Sequence, residues 1–91
     1  MYKSIIKVKP LSDYRLMITF EGGEVKVFDV KPFLETGIFK QLKNIDVFNA
    51  VKVSFDTVEW SNGADLDPEE IYEMSVAVTG VAEETAPYGR N

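Results

Sequence analysis

Ninety-one residues, 45% of them hydrophobic and including six Phe, four Tyr and one Trp, suffice for one small packed domain and exclude wholesale disorder. The chain has no cysteine and no histidine, which removes disulfides, thiolate metal sites, thiol nucleophiles and any imidazole base. The net charge of −5 is unevenly divided: residues 1–53 carry nine Lys/Arg against six Asp/Glu (+3), and residues 54–91 carry one Arg against nine Asp/Glu (−8).

The first predicted element is a strand over Lys3–Lys9, where branched apolar residues mix with lysines until Pro10 stops the run. The next stretch, "DYRLMITFEGGEVKVFDV", predicts a β-hairpin. Tyr14, Leu16, Ile18 and Phe20 fall at spacing two, Gly22 and Gly23 supply a turn, and Val25 and Val27 then alternate against Lys26 and Phe28. The period changes from Asp29 onward. Pro32 opens a short helical turn, Gly37 ends one, and Asp46 is a plausible N-cap for "VFNAV". These pieces are expected to give Phe33, Phe39, Leu42 and Phe48 to the core.

Alternation returns in "VKVSFDTVEW", with Val51, Val53 and Phe55 on one face, a turn at "DT", and a further strand beginning with Val58 and Trp60. "SNG" is a second turn. "DPEEIYEM" then reads as a capped helix: Asp67 at the N-cap, Pro68 at the first helical position, and Glu70 three residues past the cap. Ile71 and Met74 would form its apolar side, with Tyr72 at the rim. "SVAVTGV" suits an added edge strand, and "AEETAPYGRN" a frayed tail.

The order β-β-β-α-β-β-α predicts an α+β fold in two layers: an antiparallel β-sheet of about five strands with short helices on one face. Its core would draw on Leu16, Ile18, Phe20, Val27, Val53 and Trp60. Residues 1–74 are read as a single domain and 75–91 as a C-terminal extension. No run approaches the roughly eighteen apolar residues of a membrane span. The opening "MYKSIIKVKP" lacks the apolar segment and cleavage site of a secretory signal, so the expectation is a soluble, cytoplasmic protein of bacterial style.

The hairpin with "FEGGE" and its trailing Asp29, the Phe39 and Leu42 pair, Phe48, and above all "EWSNGADLDPEEIY" resemble a family of small bacterial domains of unknown function, DUF2442. The resemblance runs from about Tyr14 to Tyr72, with the tail from Ser75 outside it. It implies a two-layer α+β fold. It also implies company, since such domains look like partners of other small proteins in toxin–antitoxin-like gene pairs, and some are fused to helix-turn-helix modules. Ninety-one residues leave no room for such a module here. The family has no established catalytic residues to carry over.

"EWSNGADLDPEEIYE" concentrates the remaining candidates. As an EF-hand loop with Gly63 at the sixth position, it would put Val58 and Trp60 where calcium ligands must stand, so that reading fails. A looser, hydrated ion site from Asn62, Asp65 and Asp67 stays open. As catalytic carboxylates, Asp65 and Asp67 would need a cleft that a domain this small scarcely provides. Asp67 has a structural reading as a cap and Asp65 as a turn residue; Glu59 has none. Trp60 is either a core indole whose N–H finds a carbonyl or an anchor for a partner.

Nucleophilic chemistry lacks a base. "SIIK" puts Ser4 and Lys7 on opposite faces of a strand, and Gly22–Gly23 precedes a strand, unlike a phosphate loop. Lys3, Lys7 and Lys9 share one strand face, but the acidic second half would repel nucleic acid, and edge lysines commonly block edge pairing.

The chain therefore reads as a non-enzymatic protein-interaction or regulatory module, the antitoxin-like member of a two-gene pair. Glu59, Trp60, Asn62, Asp65 and Asp67 are its contact residues, for a basic partner encoded nearby. No cofactor, catalytic residue or metal-binding residue is assigned, and neither direct nucleic-acid nor membrane binding is expected. The alternative is a ligand- or divalent-ion-sensing domain using Asn62, Asp65 and Asp67. A third reading is self-association through "SVAVTGV".

Overall fold

The computed structural model describes residues 3–78. It is a small α+β fold with strands β1 (Ile5–Leu11), β2 (Arg15–Phe20), β3 (Val25–Asp29), β4 (Lys52–Ser54), β5 (Thr57–Glu59) and β6 (Val76–Ala77). Helices α1 (Ile45–Phe48) and α2 (Pro68–Met74) join two 3₁₀ segments, Lys31–Phe33 and Gly37–Lys43. The strands form a four-stranded antiparallel sheet in the order β1-β2-β3-β6 and a separate antiparallel hairpin, β4–β5. The expected single sheet of about five strands is thus divided. The hairpin meets the large sheet where the Ile5 N–H donates to the Asp56 carbonyl at 3.0 Å. Among the described residues no helix is long and apolar enough to cross a membrane.

Strand pairing decides which side chains face the core. Phe20, Ile18 and Leu16 of β2 are fully buried. Opposite them on β1 stand Ile5, Val8 and Pro10, in a register that shifts between Ile5 and Lys7. That irregularity moves Lys7 and Lys9 to the outer face while Lys3 reaches Glu24 at 3.6 Å, so the three lysines do not share a face. β1 also runs through Pro10 to Leu11. Proline is tolerated there because β1 is an edge strand, with one flank free of ladder bonds.

β3 departs from the expected phase. The Phe20 N–H donates to the Glu24 carbonyl at 2.8 Å, leaving three residues in the turn. Pairing Leu16 with Phe28 and Ile18 with Lys26 then turns Phe28 and Lys26 inward, and Val25 and Val27 outward. Phe28 is fully buried and takes the core place expected of Val27. Val53 only packs against the core's margin.

The helical stretch follows the predicted positions with shifted roles. Pro32 lies in the first 3₁₀ turn. Gly37, at φ +49°, opens the second segment instead of closing the first. Asn44, not Asp46, caps α1, because its Oδ1 accepts the Asp46 N–H at 2.9 Å. Leu42 and Phe48 are buried, whereas Phe33 and Phe39 pack against the core's edge. Phe55 leaves its predicted strand face: it is the first residue of the β4–β5 turn, at φ +59° and wholly exposed. Met74 is half exposed, leaving Ile71 as the buried contact of α2. β6 pairs with β3, so "SVAVTGV" does begin as an added edge strand, while Thr79–Val81 and the tail lie outside the described residues.

Candidate functional site

The segment after β5 is built by its own hydrogen bonds. The Trp60 N–H donates to the Ala64 carbonyl at 2.8 Å, and the Gly63 N–H to the Trp60 carbonyl at 2.9 Å, closing residues 60–64 into a tight loop. Gly63 holds φ +94°, which side-chain-bearing residues rarely adopt. Asn62 is fully engaged: its Oδ1 accepts the Ala64 N–H at 3.0 Å, and its Nδ2 donates to Gln41 Oε1 at 2.9 Å. Asp65 then pairs with Glu59 in an antiparallel bridge. The Thr57 hydroxyl donates to the Leu66 carbonyl at 2.6 Å, and Asp67 Oδ1 caps α2 by accepting the Glu69 N–H at 3.0 Å. Alternation does the rest, since Ala64 and Leu66 are buried while Asp65 and Asp67 are exposed.

Trp60 does not belong to this surface. Only 1% of it is exposed, and its Nε1 donates to the Phe48 carbonyl at 2.9 Å between the rings of Phe39 and Phe48. Burial removes it from the candidate contact residues. Glu59 is half-buried, and Asp65, Asp67, Glu69 and Glu70 form the exposed acidic rim.

None of the carboxylates from Glu59 to Glu73 makes an ion pair among the described residues. Lys3–Glu24, Lys31–Asp13, Lys31–Asp29 and Lys43–Glu35 are ion-paired, and these pairs lie within the first forty-three residues. For the ion-sensing alternative, Asn62 and Asp67 already spend side-chain oxygens on backbone N–H groups. Among the described residues no group of three or more acidic side chains could hold a metal ion.

A second polar cluster, not foreseen in the sequence, joins α2 to the sheet. The Tyr72 hydroxyl donates to Glu24 Oε1 at 2.8 Å, and its ring packs edge-on against Phe20. Lys26 Nζ lies 3.6 Å from the Tyr72 ring centroid and donates to the Tyr72 carbonyl at 2.8 Å. The signal was the three-residue "EGG" turn, which puts Glu24, Lys26 and Phe28 on the core-facing side. The Tyr72 hydrogen bond, helped by Lys3 and Lys26 against partial desolvation, holds the Glu24 carboxyl below its ordinary 4.5. The same hydrogen bond, with desolvation, raises the Tyr72 phenol above 10.0.

A group depressed in the fold contributes stability that is fully present above its unfolded value and is lost as pH falls through the folded one. Tyr72→Phe is therefore expected to flatten the acid limb of the thermal midpoint below pH 4.5, relative to the parent chain. Superimposable pH profiles for the two proteins would contradict this.

A family model described as protein of unknown function (DUF2442) matches residues 5–77. The chain belongs to that family. The match runs from the first residue of β1 to the last of β6, so the DUF2442 domain includes the edge strand, and the likeness extends beyond the Tyr14–Tyr72 stretch that first suggested it. No curated protein and no solved structure matches the DUF2442 chain.

Proposed function

We propose that this DUF2442 domain is a protein-interaction or regulatory module of the bacterial cytoplasm, the antitoxin-like member of a two-gene pair, and that its acidic rim receives a basic partner. The observation that supports this most directly is the segregation of ion pairs. Glu24, Asp13, Asp29 and Glu35 of the first half are ion-paired, whereas Glu59, Asp65, Asp67, Glu69 and Glu70 have no cation among the described residues. They are carried on a frame fixed by the Asn62, Thr57 and Asp67 hydrogen bonds. A preordered rim of one sign steers an oppositely charged partner and needs little ordering on contact.

The test is copurification with the product of the neighbouring gene, followed by titration of the purified pair. The double variant Glu59→Lys/Asp65→Lys is expected to weaken binding about tenfold or more, and added salt to weaken the parent complex in the same direction. No complex between the two products, or one indifferent to both changes, would sink the proposal.

A further inference from the structure

The two edges of the four-stranded sheet are built differently. β1 carries Lys7, Lys9, Pro10 and an irregular register, each of which obstructs pairing with another strand. β6 carries none of these. No charged residue occurs from Met74 to Ala82, and Val76 and Val78 are 72% and 38% exposed. Where β6 meets β3, the Val78 N–H donates to the Val25 carbonyl at 3.1 Å. Hydrogen-bonded and non-hydrogen-bonded pairs alternate along an antiparallel ladder, so the intervening Lys26–Ala77 pair is of the second kind. The N–H and C=O of Ala77 therefore point away from β3, toward an edge that no strand covers among the described residues.

We propose that this edge is a homodimer interface: β6 pairs antiparallel with β6 of a second copy about a twofold axis at Ala77. Three features select a second copy as the occupant. A twofold at Ala77 makes the two Ala77 residues a hydrogen-bonded pair, satisfying both outward-pointing donors and acceptors at once. The same axis sets Val76 of each copy opposite Val78 of the other on the outer face, giving two apolar cross-strand contacts from side chains otherwise exposed. No charge on β6 opposes its own image. The product is a continuous eight-stranded sheet whose remaining edges are the two obstructed β1 strands, so association closes at two. This surface lies apart from the acidic rim, and a dimer would present two rims.

Sedimentation equilibrium of the full chain tests the proposal. The expected mass is twice 10.3 kDa, falling to 10.3 kDa on dilution. Ala77→Pro removes only the outward N–H and leaves the β3–β6 bonds of Val78 in place, and Val76→Lys puts a charge in the apolar pair. Each is expected to weaken dimerisation at least tenfold while the circular dichroism spectrum and thermal midpoint extrapolated to low concentration stay those of the parent. A parent chain that sediments at 10.3 kDa at every concentration overturns the proposal and leaves the edge to a strand from a different protein. A dimer indifferent to both substitutions overturns it equally.

Discussion

Trp60→Ala is expected to cost about 3–5 kcal/mol of folding stability, the usual range for deleting a buried large aromatic side chain. A chain of this length has roughly 5–14 kcal/mol in all, so the variant should lose a large part of its margin. Trp60 is the largest fully buried side chain, wedged between Phe39 and Phe48, and its indole N–H satisfies the Phe48 carbonyl at the end of α1. Truncation therefore opens a cavity and leaves the Phe48 carbonyl with only the longer bond from the Val51 N–H at 3.3 Å. Trp60→Phe is the milder change, because it keeps one ring while removing the donor and part of the indole's volume; its cost should fall to about 1–3 kcal/mol. Urea midpoints of the three proteins check the order. Equal losses for alanine and phenylalanine would show that a phenyl-sized ring at this site contributes nothing to stability. The variant also bears on function: any loss of partner binding in Trp60→Ala reflects the frame beneath the rim, since the indole itself is out of a partner's reach.

What the sequence disclosed depended on how local the physics was. The cap at Asp67 with Pro68 behind it is decided by adjacent residues, and the structure places both as read. The hairpin through "EGGE" was equally plain, yet its phase was not. Turn length sets which residue of β3 opposes Phe20, and a one-residue difference exchanges Val27 for Phe28 in the core. The register shift after Ile5 has the same character: it separates Lys3 from Lys7 and Lys9 by a backbone event that alternation cannot reveal. Phe55 was read onto one strand face with Val51 and Val53 because it continued their alternation, but β4 ends at Ser54 and the turn takes the next residue, aromatic or not. Within the candidate site, the exposure of Asp65 and Asp67 was legible from their polarity. The burial of Trp60 was legible as one of its two readings, a core indole whose N–H finds a carbonyl; which carbonyl was not, because Phe48 lies twelve residues away.

The acidic half raises a question about α2, which ends in "IYEM" with no basic residue in its last turn. The carbonyls of a last turn lack helical partners and carry partial negative charge, and Glu73 adds to it. The sheet supplies the missing cation. Lys26 turns inward from β3, donates to the Tyr72 carbonyl at 2.8 Å and lies over the Tyr72 ring. Lys26→Met keeps most of the aliphatic stem and removes the ammonium, so it tests the charge alone. A hydrogen bond from a charged donor contributes about 1.5–3 kcal/mol, and a cation over an aromatic face about 0.5–1 kcal/mol more. Against these stands the cost of partly desolvating the ammonium, which methionine avoids. The net expectation is a loss of about 2 kcal/mol in Lys26→Met. By contrast, Lys7→Met and Lys9→Met, on the exposed outer face, should stay within about 0.5 kcal/mol of the parent. Because Lys26 also pairs in register with Ala77, its loss should loosen β6 as well as α2, visible as faster amide exchange at Val78. Equal stability for all three lysine variants would mean that α2 is held by Ile71 and Tyr72 packing without help from the charge.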